Sequence, residues 1–315
     1  MATYQTFQAV GEREDLIDVI YDISPTDTPF MSTVAKTNAT NVFHEWQTDS
    51  LAAAAANAAV EGADASDATL SATTRVGNYT QISQKTIKVS GTLESVDKAG
   101  RKSEKAYQLA KASKEIKRDM ELALLNNTVQ SAGSASAARK LGGIQTWINS
   151  NYDGGSGGTA GSLGTTAKSN GTDRTFTETI LKTVVKEVFN SGGEPKVLMT
   201  TPTQKQVVSG FAGIAAQRYM APGDQPTTII GAADVYMSDF GQMSVVPNRF
   251  MTAESDNGEV ALVLDPEMAS VAYLRPFQTN DLAKAGDAEK TQLLAEYTLV
   301  VNNEAAHGIA ADLTE

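Results

Sequence analysis

Cysteine is absent from the 315 residues. That removes disulfides, thiolate zinc sites and cysteine nucleophiles together, and it fits folding in a reducing compartment. Histidine is nearly absent. His44 and His307 are far apart and show no H-E-x-x-H spacing, so each reads as a structural histidine rather than a metal ligand. No apolar run approaches the roughly 18 residues needed to span a bilayer. The start, MATYQTFQAVGERED, has neither the basic stretch nor the apolar core of a signal peptide. There is no P-loop and no complete G-x-G-x-x-G. Positive charge is in deficit, with a net charge of −11. A protein that neutralises phosphates needs clustered Lys and Arg, so this balance opposes nucleic-acid binding and suits a surface that tolerates DNA nearby without holding it.

What is present supports a folded body, with 41% hydrophobic and 20% charged residues. Leu16, Val19, Ile20 and Ile23 recur at helical spacing over residues 12–23. Pro25 stops that helix, and Thr28 before Pro29 is pushed extended. The beginning of the chain is therefore a short helix followed by a stiff, half-apolar arm. Asn41–Gln47 and Asn78–Thr92 read as two strands. Between them lies LAAAAANAAVEGADASDATLSATTR, whose only large apolar members are Leu51, Val60 and Leu70. Such a stretch cannot bury a core of its own. The expected picture is a long two-stranded loop with a low-complexity tip that needs something outside itself to lie on.

Ser103–Asn127 is the clearest helix, with a stripe of Ala106, Leu109, Ser113, Ile116, Met120 and Ala123/Leu124. Its length, roughly 38 Å, suggests a strut. The basic cluster Lys111–Arg118 alternates with acids and reads as a solvated or subunit-facing surface rather than a DNA patch. Asn151–Gly171 is rich in Gly, Ser and Thr and reads as a flexible connection. Thr175-x-x-Glu178 is a capping box before a helix burying Ile180, Leu181, Val184, Val185, Val188 and Phe189. Lys196–Thr200 is a short buried strand, and Thr201-Pro202 opens another helix. Strands VYMS, QMSVVP, EVALVL and ASVAYL form a meander between Val235 and Phe277, with a turn at Asn257-Gly258. Tyr297, Leu299 and Val301 alternate on a last strand. This order is α+β rather than repeated βαβ.

Two motifs invite chemistry. Gly154-Gly155-Ser156-Gly157-Gly158 matches G-x-S-x-G, but no apolar strand precedes it, so the linker reading is favoured over a hydrolase using Ser156. Glu254, Asp256 and Glu259 lack the ligand ladder of a calcium loop and read as a charged turn.

Short segments spread in order along the chain carry a resemblance: PTDTPF (Pro25–Phe30), EWQTDSL (Glu45–Leu51), Glu61-Gly62, NYTQI (Asn78–Ile82), VSGT (Val89–Thr92), Gly100-Arg101, RDMELALL (Arg118–Leu125), SDFG (Ser238–Gly241), LRPF (Leu274–Phe277), AKAGDAEK (Ala283–Lys290) and YTLVVNNEAAHG (Tyr297–Gly308). Over essentially its whole length the chain resembles the major capsid proteins of tailed double-stranded DNA bacteriophages, in particular the SU-ten-like subfamily. The resemblance implies the Hong Kong-97-type fold. Residues 1–40 would be the N-terminal arm, 41–97 the extended loop, 98–172 the first part of the peripheral domain with a spine helix at 103–127, 173–267 the axial domain, and 268–315 the returning part of the peripheral domain.

It also implies a non-enzymatic shell protein without cofactors or bound metal. Such a chain forms hexamers and pentamers of an icosahedral lattice and encloses genomic DNA without sequence-specific binding. It is assembled in the host bacterial cytoplasm and found in the virion, with no membrane partner. Separate portal and decoration proteins are further partners this allows. Because the chain begins almost at the arm, scaffolding is expected from a separate protein. The expected contacts between subunits are Leu16, Ile20, Ile23, Pro25, Pro29 and Phe30 of the arm, with Phe30 as anchor, and Trp46, Glu61 and Tyr79 of the loop; the alternative for the arm is that it packs on its own domain. An encapsulin-like compartment of the same fold is the alternative, and it would co-purify with protein cargo rather than DNA.

Overall fold

The computed structural model describes residues 24–62, 64, 67–211, 234–251, 259–284 and 286–314. The first part contains α1 (Pro29–Thr33), β1 (Ala35–Asn38), β2 (Phe43–Thr48), β3 (Thr74–Tyr79), β4 (Gln81–Ser90), α2 (Gly91–Ser95) and α3 (Glu104–Leu125). It continues with β5 (Tyr152–Asp153), α4 (Glu178–Asn190), β6 (Val197–Thr200) and α5 (Pro202–Ser209). The last strands are β7 (Val235–Ser238), β8 (Gly241–Pro247), β9 (Glu259–Leu264), β10 (Ala269–Leu282), β11 (Ala288–Val301) and β12 (Gly308–Leu313).

The strut helix forms where its periodicity puts it. Ser103 caps α3 by accepting the Ala106 N–H, and the helix runs 22 residues, about 33 Å. Ile116, Met120 and Leu124 are buried as expected, whereas the stripe enters through Ala112 and leaves Ala106 exposed. That stripe packs on a four-stranded sheet ordered β1-β10-β11-β4. Strand alternation supplies the other half of the core. Leu293, Ala295, Tyr297, Leu299 and Val301 of β11 share a cluster with Ile116, Met120 and Leu124. Each large aliphatic side chain so buried contributes about 1.5–3 kcal/mol. The even-numbered residues Glu296, Thr298 and Val300 point to the opposite side of the sheet. There Thr298 donates to the Tyr79 carbonyl and Val300 packs on Ala39 and Ala272.

A six-stranded sheet, ordered β5-β12-β9-β6-β8-β7, forms the second layer system. One face buries Leu181, Val184, Val185 and Val188 of α4 against Leu198, Ala261, Val263 and Ala310. Three expectations are corrected here. Strands β8 and β9 do not form a simple meander, because β6 lies between them, parallel to β8 and antiparallel to β9. Residues 268–315 do not stay in one unit. Strands β10 and β11 belong to the four-stranded sheet, but β12 pairs with β9 in the six-stranded one. The cap of α4 is Thr177, two residues later than the Thr175 box, and Phe189 at the helix end is half exposed.

The Gly/Ser-rich stretch 151–171 is also not a loose connection. It folds back on itself through the bridges Thr159↔Ser169 and Ser162↔Thr166. The buried Asp312 carboxylate fixes it, accepting the Gly155 N–H at 2.8 Å and the Tyr152 hydroxyl at 3.3 Å. The glycines serve close approach: a Cβ on Gly164, which has φ +70°, would lie 2.9 Å from the Trp147 ring. The predicted helix 12–23 and the Asn257-Gly258 turn lie outside the described residues.

Candidate assembly surface

The loop predicted between residues 41 and 97 is built on the antiparallel pair β2–β3, in register from Phe43↔Tyr79 to Thr48↔Thr74. The second predicted strand divides at Thr80. Residues 74–79 pair with β2, while 81–90 leave to pair with β11. A buried polar lock holds the root of the hairpin. Asn78 donates to the Gly142 and Leu299 carbonyls and accepts the Gly142 N–H. Thr80 donates its hydroxyl to Glu296 and its N–H to the Val42 carbonyl. Glu296, itself buried, is paired with both Arg139 and Arg275. Every polar group in this lock is matched, which fixes the hairpin's direction.

Aromatic contacts brace the same root. Phe43 and Tyr79 have ring centroids 4.5 Å apart, and Trp46 lies 5.3 Å from the buried Trp147. Trp46 and Tyr79, expected to touch a neighbour, are thus half-buried against their own subunit. Beyond Thr48 the pairing stops. The described residues between 49 and 73 form neither helix nor strand, with a turn at Glu61-Gly62. Leu51, Val60 and Leu70 are 99%, 80% and 91% exposed. A rigid root therefore carries a bare tip, and Glu61 sits exposed on it.

The arm meets the body differently from expectation. Pro29 supplies the first position of α1, and the helix N-terminus is capped from outside by the Glu121 carboxylate of α3. Glu121 accepts the Phe30 N–H at 2.6 Å and the Met31 N–H at 2.9 Å. It also accepts Asn248 Nδ2 at 2.7 Å. Burial raises its carboxyl pKa, while these three donors pull it back toward the charged form. Phe30 is fully buried in the subunit's own core. Its role as an anchor on a neighbour is therefore corrected: it anchors the arm to its own subunit. Pro25 and Pro29 are half-buried, and Leu16, Ile20 and Ile23 lie outside the described residues.

Sequence reasoning missed a second exposed patch on the six-stranded sheet. Its edge strand β7 presents Val235 and Met237 at 43% and 71% exposure. Beside it Phe189 and Phe240 stack at 4.7 Å, both partly open to solvent. The hydrophobic spacing of 180–189 predicted a buried Phe189. Its partner lies across the fold at Phe240, which no local pattern reveals.

Among the described residues, those that invited chemistry do not converge, and Glu254 and Asp256 lie outside them. Ser156 is exposed on a turn, where its carbonyl accepts the Thr172 N–H. His44 pairs opposite Asn78 in the hairpin. His307 is fully buried, its Nδ1 accepting the Asp265 N–H. Burial holds that imidazole down at about 4. Glu259, expected in a charged turn, is buried in β9 and accepts hydrogen bonds from Thr201 and Gln204.

Comparison with known proteins finds relatives both in sequence and in fold. The SU10 major capsid protein family matches residues 2–314. The major capsid protein of Escherichia phage Phieco32 is 26% identical, the alignment covering 97% of this chain and 96% of that protein. Among solved structures, the capsid asymmetric unit of cyanophage A-1(L) superposes with a TM-score of 0.68 at 12% identity, covering 99% of each chain. An encapsulin complex from Synechococcus elongatus PCC 7942 gives 0.57 at 10% identity, covering 96% of this chain and 93% of the other.

Proposed function

The chain belongs to the SU10 major capsid protein family and is a phage major capsid protein, and from that premise we propose how its surfaces build the shell. The bare tip at residues 49–73 lies on a neighbouring copy, where Leu51, Val60 and Leu70 leave water. The observation that carries this is the contrast between the hairpin root, held by the Asn78–Thr80–Glu296 lock, and those three nearly naked side chains on a segment with no fold of its own. Glu61 touches the neighbour from the same tip. Leu16, Ile20 and Ile23, upstream of the docked Pro29–Thr33 helix, supply a further contact, with Pro25 stiffening the approach. The four-stranded sheet with α3 is the peripheral unit, and the six-stranded sheet with α4 and α5 the axial unit, whose Met237 and Phe240 edge meets other copies. The chain has no enzymatic role. Its partners are copies of itself in hexamers and pentamers, and the shell encloses the genome after assembly in the host cytoplasm. The encapsulin likeness is one of fold.

The test is Leu51→Ser/Val60→Ser/Leu70→Ser. The unassembled chain is expected to keep its circular dichroism and melt, because none of the three side chains enters its core. Negative-stain particle counts at equal protein concentration are expected to fall at least tenfold. Normal particle yield would remove the tip from the assembly mechanism.

A further inference from the structure

Residues 98–118 hold eight of the chain's 26 Lys and Arg but only two of its 37 Asp and Glu, which leaves 18 cations against 35 anions elsewhere. Sequence alone made this stretch look mixed, because acids alternate with lysines along α3. The fold sorts them. Glu104 is buried and taken by Arg101 and Gln108. Glu115 and Asp119 both face Lys85 of β4. Glu121 is consumed by the α1 backbone. The carboxylates of α3 are thus engaged, Glu104 and Glu121 in buried contacts and Glu115 and the exposed Asp119 by Lys85. Lys102, Lys111, Lys114 and Lys117 are exposed, and Lys102, Lys111 and Lys117 pair with no carboxylate among the described residues. Lys111 and Lys117 are about 9 Å apart along the helix axis.

We propose that this ridge is the side of the subunit that faces packaged duplex DNA, with Lys102, Lys111 and Lys117 as its phosphate contacts. The proposal rests on the capsid reading above and adds a polarity to it. The ridge binds the phosphate backbone and reads no sequence, since Lys111 and Lys117 on α3 and Lys102 just before its Ser103 cap offer point charges only. The tip-bearing hairpin leaves the sheet beside Thr298 and Glu296, which point away from α3, although its Trp46 and Val76 also reach the core cluster that α3 shares. The polarity thus puts α3 inside and the hairpin root outside. An otherwise acidic subunit repels DNA, so a confined basic ridge places the contact without making the whole surface adhesive.

The test is fluorescence anisotropy of a 20-bp duplex with the full-length chain between 50 and 200 mM salt. Each phosphate contact contributes about −0.9 to the slope of log K against log salt, so three give about −2.7. The variant K102Q/K111Q/K117Q is expected to lose this slope. The control K36Q/K88Q/K140Q, with the same net charge, is expected to keep it. A retained slope in the first variant, an equal loss in the control, or no binding by the wild-type chain at 50 mM salt would each overturn the ridge. Particle formation by negative stain reads the capsid premise separately. Normal particles without a ridge effect sink only the ridge, and a ridge effect in a chain that never forms particles sinks only the premise.

Discussion

Glu121 looks in the sequence like one more acid on a helix surface. In the fold it is fully buried and supplies the missing cap of a helix some ninety positions earlier in the chain. Glu121→Ala would orphan two backbone donors at once and leave Asn248 Nδ2 with only the Met199 sulfur. The expected cost is about 3–5 kcal/mol, seen as a lower urea midpoint of the unassembled chain. His307 gives a second residue-scale expectation. Its folded pKa of about 4 lies below the usual 6.5. Between those values the unfolded chain holds a proton that the folded one does not. Stability from this group is therefore complete above about pH 6.5 and lost as pH falls toward 4, amounting to about 2 kcal/mol at pH 5. Urea titrations at pH 7.5 and pH 5 check it, and His307→Gln should remove that share of the pH dependence. Both residues were legible as types but not as roles, since the partners Phe30 and Asp265 are distant in sequence.

At the scale of elements, legibility followed locality. The Ile116, Met120 and Leu124 stripe of α3 and the apolar runs of β6 and β9 carry their own signals, and each formed where expected. The arm did not, because its destination is another element. A chain starting at Pro25 should keep the cooperative melt of the full chain, since α1 and its Glu121 cap survive. A chain starting at Ser32 should lose it, because Phe30 and Met31 leave holes in the core and Glu121 is left buried without two of its donors. Scanning calorimetry of the two truncations separates these outcomes. The Gly/Ser stretch misled for a related reason. Its composition is that of a linker, but Asp312 and Trp147, distant in sequence, hold it. Gly164→Ala places a methyl against the Trp147 ring at a positive φ, and is expected to cost about 1–3 kcal/mol in the same melt.

Over the whole molecule, the α+β class and the arm-loop-strut order were readable from the chain, and the strand order was not. The sheets are closed by strands far apart in sequence: β1 pairs with β10, and β4 with β11. Such pairings depend on turns and long-range hydrogen bonds rather than on local periodicity. They also place late segments in early positions. Strand β11 lies between β10 and β4, and β12 lies between β5 and β9, so each sheet receives an interior strand from residues 288–313. While those residues are still within the ribosome, neither sheet can close. A nascent chain therefore cannot present a finished surface to its neighbours on the same messenger, however crowded the polysome. Every subunit should enter the lattice only after residues 288–313 have left the ribosome. Ribosome-bound chains stalled at Asn302 should stay open to protease along α4 and β9, whereas release of the full chain should protect both.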